Sequence, residues 1–182
     1  MKLWLFFLLL VSLSGCATLS DRECLDAGAT SWEGIGWADG RDGYHPDRRL
    51  SMHYEACSKV GISPDRNSYM AGWSRGILEY CTPERGYAIG LSGAVGNPEL
   101  CPDGTGIIFQ ANVQLGLRVY EVKREMDLLY REIEVLERRL NDRDLDRYAR
   151  RDIRERLRHY DEEMFHLRWQ LIDVQSIPLI RY

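Results

Sequence analysis

The chain has 182 residues, of which 45% are hydrophobic and 29% charged, and its formal net charge is −4. This length accommodates one domain, or a small domain with an appendage. The acidic balance without a basic patch argues against nucleic acid as a partner. No catalytic, metal-binding or cofactor motif stands above background, so the sequence does not predict an enzyme.

The first 15 residues have the layout of a secretory signal peptide. Lys2 supplies a positive charge, residues 3–11 are almost wholly apolar, and Leu13-Ser14-Gly15 lead up to Cys16. The apolar run is well short of the roughly 20 residues that a transmembrane helix needs. We therefore predict that residues 1–15 are a cleaved signal peptide.

The residues Leu13-Ser14-Gly15-Cys16 resemble a bacterial lipobox. The resemblance implies a diacylglycerol thioether on Cys16 and an acyl group on its amine. Such chains hold a protein at a membrane, since each buried CH₂ contributes about 0.8 kcal/mol. In Gram-negative lipoproteins an Asp after the cysteine favours the inner membrane, so Ala17 suggests the outer membrane, facing the periplasm. The alternative is an ordinary signal peptide with an unrelated cysteine.

Beyond Cys16, the remaining cysteines suit two disulfides in an exported chain: Cys24, Cys57, Cys81 and Cys101. Three pairings are possible. We favour Cys24–Cys57 with Cys81–Cys101, because sequential pairing closes the shorter loops, each worth about 3 kcal/mol. The alternative is a zinc site that includes His53, although no C-x-x-C pair is present.

Residues 16–110 are rich in glycine and aromatic side chains and contain a partial repeat. Gly36-Trp37-x-x-Gly40-x-x-x-Tyr44 recurs as Gly72-Trp73-x-x-Gly76-x-x-x-Tyr80, and Gly116-x-x-x-Tyr120 is a weaker copy. Glycines four residues apart share one helix face, which lets another helix approach closely. Because glycine inside a helix costs about 1 kcal/mol relative to alanine, the repeat predicts tightly packed helices.

Capping residues predict where these helices begin and end. Ser31, Ser63 before Pro64 and Thr82 before Pro83 are candidate starts, and Gly61 is a candidate stop. Strand-like alternation is nearly absent, which argues against a sheet and leaves only a short β-hairpin within residues 87–95 open. We therefore predict a compact all-α module stapled by disulfides.

The order of these residues resembles a known family. The set comprises Trp32, Gly36-Trp37-x-Asp39-Gly40-x-x-Gly43, His53-x-x-x-Cys57, Tyr69-x-x-Gly72-x-x-x-Gly76-x-x-x-Tyr80-Cys81, Gly86-Tyr87-x-x-Gly90 and Cys101-Pro102. It is similar to uncharacterised proteobacterial lipoproteins catalogued as domain of unknown function 2799, over roughly residues 20–120. The resemblance implies a lipid-anchored envelope protein and brings no activity, substrate or catalytic residue.

Residues 111–182 carry two heptad seams. The first runs from Leu115 to Leu140 and the second from Ile153 to Val174, with apolar residues alternately three and four apart. The register breaks at the polar residues 141–144. We predict a long charged antiparallel helical hairpin, coiled-coil-like, with two helices of about 30 residues. One uninterrupted helix that dimerises through both seams is the alternative.

Several side chains are candidates for binding or catalysis. Trp37 and Trp73, with Asp39, form a candidate binding surface for a cell-wall glycan, although aromatic residues at helical spacing usually pack in a core. Asp39 and Asp42, near Glu33 and Glu55, are a candidate carboxylate pair for glycoside cleavage, but solvated helix residues are the favoured interpretation. For His45 and His53 we favour surface or capping positions.

Together these features predict a lipid-anchored protein at the periplasmic face of the outer membrane. We expect a structural or protein-interaction module whose C-terminal helices bind a partner protein or a second copy. The alternative is a glycan-binding lipoprotein. No catalytic residue, metal or cofactor is expected.

Overall fold

The computed structural model describes residues 19–181, so Cys16 and the predicted signal peptide lie outside the described residues. This part of the chain is all-helical and contains no strand, which confirms the predicted class. The short β-hairpin that the sequence left open within residues 87–95 is absent, because a helix occupies residues 87–91. The α-helices are α1 (Asp21–Thr30), α2 (Trp32–Arg41), α3 (Pro46–Cys57), α4 (Arg66–Tyr80), α5 (Pro83–Leu91), α6 (Thr105–Leu140) and α7 (Arg147–Ser176).

Side-chain caps begin the helices largely where the sequence predicts them. The Ser31 hydroxyl accepts a hydrogen bond from the Gly34 amide at 3.1 Å, and that of Thr82 accepts one from the Arg85 amide at 3.2 Å. The predicted start at Ser63 is wrong. Asp65 caps α4 instead, because its carboxylate accepts from two free backbone amides of the first turn, and these bonds lower its pKa.

Helices α2 and α4 form the first glycine-packed pair. A Cβ at Gly40 would lie 2.5 Å from the Trp73 carbonyl oxygen, and one at Gly36 would overlap the Tyr69 carbonyl. Successive glycines of α2 meet successive turns of α4, so the two helices run parallel. Their backbones touch directly, which confirms the close approach that the repeat predicts.

Helices α5 and α6 form a second pair of the same kind. Gly86 lies against the Phe109 carbonyl, Gly90 against that of Val113 and Gly116 against that of Tyr87. Each pair also ends on a glycine with positive φ that lies under a tyrosine ring: Gly43 under Tyr80, and Gly93 under Tyr120. In the folded structure, the unit that recurs is therefore a pair of helices. The repeat seen in the sequence instead relates α2 to α4, which are the two members of the first pair.

Two disulfides tie these elements together, and both follow the favoured pairing. Cys24–Cys57 joins α1 to the end of α3, and Cys81–Cys101 joins the end of α4 to the segment before α6. These bonds use the four cysteines that the zinc alternative requires. No group of three potential metal ligands is present in residues 19–181.

Helix α6 contacts α5 through its first turns and α7 through the rest of its length. Val122, Leu129, Met164 and Leu167 form one buried cluster between α6 and α7, and Leu115, Val119 and Val174 form another. Between the two helices, the Arg150 guanidinium donates to the Leu140 and Asp142 carbonyls. The alternative of one uninterrupted helix through residues 111–182 is wrong, because α6 ends at Leu140 and α7 begins at Arg147. None of the described helices is long and apolar enough to span a bilayer.

Candidate functional site

A buried polar cluster joins α2, α3 and α4. The Asp39 carboxylate lies 2.7 Å from His53 Nε2, accepts a hydrogen bond from the Tyr69 hydroxyl at 3.0 Å, and accepts one from Arg49 Nε at 3.2 Å. Asp39 is 6% exposed and Tyr69 is fully buried. Because a buried carboxylate is unfavourable without partners, these bonds are what keep Asp39 in the core.

The proton positions in this cluster follow from its charges. Burial raises the pKa of the Tyr69 hydroxyl, and the nearby Asp39 charge raises it further, so Tyr69 stays protonated and donates. A carboxylate only accepts hydrogen bonds, so the 2.7 Å contact with Asp39 assigns a proton to His53 Nε2. Its Nδ1 atom is buried and has no hydrogen-bond partner in the described part of the chain.

The expectation that His53 lies at the surface or in a cap is wrong, since it is 1% exposed. The signal was present in the sequence, because Leu50, His53 and Cys57 share one face of α3 and all three are buried. His45, by contrast, is exposed. It occupies the N-cap position of α3 and makes no side-chain capping bond.

The structure gives the two candidate tryptophans separate partners. The Trp37 indole donates to Glu79 at 3.1 Å and lies under Arg41, whereas the Trp73 indole donates to the Tyr44 carbonyl at 2.8 Å. Both are half-buried against neighbouring elements. Both oxygens of Asp39 are already bonded within the polar cluster.

The carboxylates considered for glycoside cleavage also have different surroundings. Asp42 is exposed and paired with Arg41 at 3.3 Å, Glu33 is paired with Arg75, and Glu55 is exposed. Asp39 is buried and already bonded to three side chains. An acid and base that act on one bond both need access to the substrate. This arrangement therefore gives no support to the carboxylate pair.

An open cleft of about 800 Å³ lies beside the polar cluster. Its lining includes Tyr44, Arg48, Arg49, Met52 and Asn97. The Arg49 guanidinium stacks on the Tyr44 ring at 4.3 Å. The Asn97 side chain donates to the Gly43 carbonyl at 2.9 Å. Sequence reasoning missed this cleft because its walls come from two segments, residues 44–52 and residues 97–99, that are distant along the chain.

A second candidate surface lies on the outside of α7. Phe165, Trp169 and Ile172 are 56%, 59% and 56% exposed, and we call these three residues the α7 stripe. Their spacing of four and three residues places them on one helix face. The Phe165 and Trp169 rings meet edge to face, with centroids 6.2 Å apart. Sequence reasoning missed the stripe because it followed only the seam residues that face α6.

Residues 31–118 match the model of a protein family described as "Protein of unknown function (DUF2799)". This segment belongs to the DUF2799 family. The DUF2799 domain covers both glycine-packed helix pairs, the polar cluster and the cleft, whereas α7 lies outside it. No curated protein and no solved structure matches the chain.

Proposed function

We propose that this protein is a lipid-anchored envelope protein, held by Cys16 at the periplasmic face of the outer membrane. It acts as a structural or protein-interaction module without enzymatic activity. Helices α6 and α7 form a coiled-coil-like hairpin that presents the interaction surface. The α7 stripe carries this proposal, because three large apolar side chains are more than half exposed on an otherwise highly charged helix.

Contacts between α6 and α7 support an antiparallel hairpin. Glu132 accepts from the Tyr160 hydroxyl at 3.3 Å, and Asn112 bonds both backbone groups of Ile180. Residues early in α6 thus meet residues at or beyond the end of α7. The buried side chains of the two clusters between α6 and α7 all belong to the heptad seams, which is typical of coiled-coil packing.

The composition of the stripe supports a binding role. Tryptophan and phenylalanine are among the residues that contribute most to protein interfaces, because they bury a large apolar area at little conformational cost. Exposed apolar residues scattered singly need no explanation, but contiguous ones indicate an interaction site. Here three adjacent large side chains lie on one face, with charged residues around them.

The experiment that tests this function is formaldehyde crosslinking in cells that produce the full chain, followed by mass spectrometry. The stripe variant Phe165→Ser/Trp169→Ser is compared with wild type and with Tyr54→Ser, which removes an exposed aromatic residue from α3. We expect a protein adduct that the stripe variant loses and the Tyr54 variant keeps. An adduct retained by the stripe variant, or no protein adduct from wild type, contradicts the proposal.

The cleft favours a second function, the binding of a cell-wall glycan. Arg49 covers one face of the Tyr44 ring, and the other face is the one proposed to stack against a sugar. Arg48 and Asn97 supply hydrogen-bond donors in the same cleft. Titration with soluble muropeptides tests it, with Tyr44→Ala as the cleft variant and Trp37→Ala as the comparison. Weaker binding in the Tyr44 variant alone assigns the glycan to the cleft, and no binding by wild type excludes it.

A further inference from the structure

The outer face of α7 continues beyond the stripe toward the start of the helix. Moving back from the stripe, residues three or four apart on this face alternate in charge and end in a tyrosine: Glu162, Arg158, Glu155, Arg151 and Tyr148. All five are exposed. None of the four charged residues takes part in an ion pair within residues 19–181.

We propose that the occupant of the α7 stripe is the α7 helix of a second copy of this chain, packed antiparallel. This inference rests on the proposed interaction function and names its partner. With the two-fold axis at the level of Tyr160, Arg158 of one copy faces Glu162 of the other. Trp169 then faces Arg151, and Ile172 faces Tyr148.

The charge pattern favours this partner because the face is self-complementary only in the antiparallel direction. Two-fold symmetry makes each contact occur twice, as in other isologous dimers. The contacts comprise two ion pairs near the axis, two contacts of the Phe165 ring with Glu155, two stacked arginine–tryptophan pairs and two pairs of Ile172 with Tyr148 at the ends. Parallel packing would instead place Arg158 against Arg158. A lipid surface would place all four charges of this face against apolar chains with no ion pair to compensate them, which is unfavourable.

The size of this contact predicts a weak dimer. Residues 148–172 extend about 37 Å at 1.5 Å per residue, and the contact is about one helix, or 10 Å, wide. Such an area falls in the class of weak and transient associations. We therefore expect monomer and dimer to exchange, with the dimer favoured where chains are concentrated.

A charge-swap series on the full chain tests the pairing directly. The variants are Arg158→Glu, Glu162→Arg and the combination of both, measured by sedimentation equilibrium in detergent micelles over a range of protein concentrations. Each single variant places like charges together twice, so we expect the dimer dissociation constant to rise at least about tenfold. The combined variant restores both ion pairs and with them the wild-type dissociation constant.

An equimolar mixture of the two single variants provides a further check. One chain then carries glutamate and the other arginine at both positions 158 and 162, so every facing pair has opposite charges. We therefore expect a mixed dimer with the dissociation constant of the wild-type dimer. Helical content by circular dichroism should be the same in all variants, since the swapped residues are exposed.

Two results would overturn the second-copy proposal. One is a wild-type chain that stays monomeric at every concentration, and the other is a dimer that the single swaps do not weaken. If the in-cell protein adduct still depends on Phe165 and Trp169 in either case, the partner is another protein and the proposed function stands. If that adduct is absent as well, both proposals fail.

Discussion

At the scale of single residues, the DUF2799 domain depends on one buried carboxylate and its three partners. Asp39 on α2 is bonded to Arg49 and His53 on α3 and to Tyr69 on α4. Three helices therefore meet at one charge. Removing one partner of a buried charge is more costly than losing an exposed ion pair, because the charge that remains is no longer compensated.

We predict that Tyr69→Phe destabilises the chain by about 1–3 kcal/mol, since one bond to a buried acceptor is lost. The variant should also change the response to alkali. Burial raises the folded-state pKa of Tyr69 above its unfolded value near 10, so its contribution is complete below about pH 10 and is lost as pH rises further. Wild type should therefore lose up to about 1.4 kcal/mol more stability per pH unit above pH 10 than Tyr69→Phe does.

Urea unfolding of both proteins at neutral and alkaline pH measures this difference. Tyr148→Phe is the matched control, because Tyr148 is 85% exposed and its hydroxyl has no buried partner. Equal alkaline slopes for wild type and Tyr69→Phe would show that this hydroxyl does not stay protonated in the folded core.

Residue-level predictions from the sequence succeeded where the signal is local. The caps Ser31 and Thr82 depend only on the next three residues, and the disulfide pairing follows loop length. The burial of His53 could be predicted from the face that it shares with Leu50 and Cys57, but the sequence does not show that α2 and α4 bring Asp39 and Tyr69 beside it. The cluster therefore becomes visible only when the three helices are packed together.

At the scale of helices, glycine determines how close two backbones can come. The repeat in the sequence revealed the glycine faces and predicted their close packing. It did not reveal that α5 and the first turns of α6 repeat the pair formed by α2 and α4. One reason is that α6 has Asn112 at the position that corresponds to Gly72 of α4. The Asn112 side chain bonds the Ile180 backbone, whereas a glycine there would allow another helix to approach closely. The third copy therefore looked incomplete.

Two alanine substitutions in α2 should have opposite effects. A Cβ at Gly40 would lie 2.5 Å from a carbonyl oxygen of α4, so Gly40→Ala should force the helices apart and destabilise the chain by about 1–3 kcal/mol. Gly34 has only the Ser31 hydroxyl, at 3.9 Å, near its Cβ position. Gly34→Ala should therefore stabilise α2 by about 0.4–1 kcal/mol.

Thermal and urea unfolding compare the two variants. Equal effects of both substitutions would mean that helix propensity, and not backbone contact between α2 and α4, explains the glycines.

At the scale of the whole molecule, helix α6 connects the DUF2799 domain to the C-terminal helices. It is about 54 Å long at 1.5 Å per residue, and only its first turns pack against α5. The sequence predicted the two kinds of unit, because glycine-rich and heptad patterns differ clearly. The division at residues 110 and 111 stays a prediction, since α6 runs through it. The α7 stripe was not predicted, because a few apolar residues outside a heptad seam look unremarkable until their exposure is known.

The measurement that tests the central claim most directly is site-specific photo-crosslinking in cells that produce the full chain. A benzophenone side chain is placed in turn at Ile172 in the stripe, at Tyr44 in the cleft and at Leu78, an exposed position on α4 that serves as control. Our account predicts a protein adduct from position 172 and none from positions 44 and 78. Protein or glycan adducts from position 44 with none from position 172 would contradict it and place the functional surface in the DUF2799 domain.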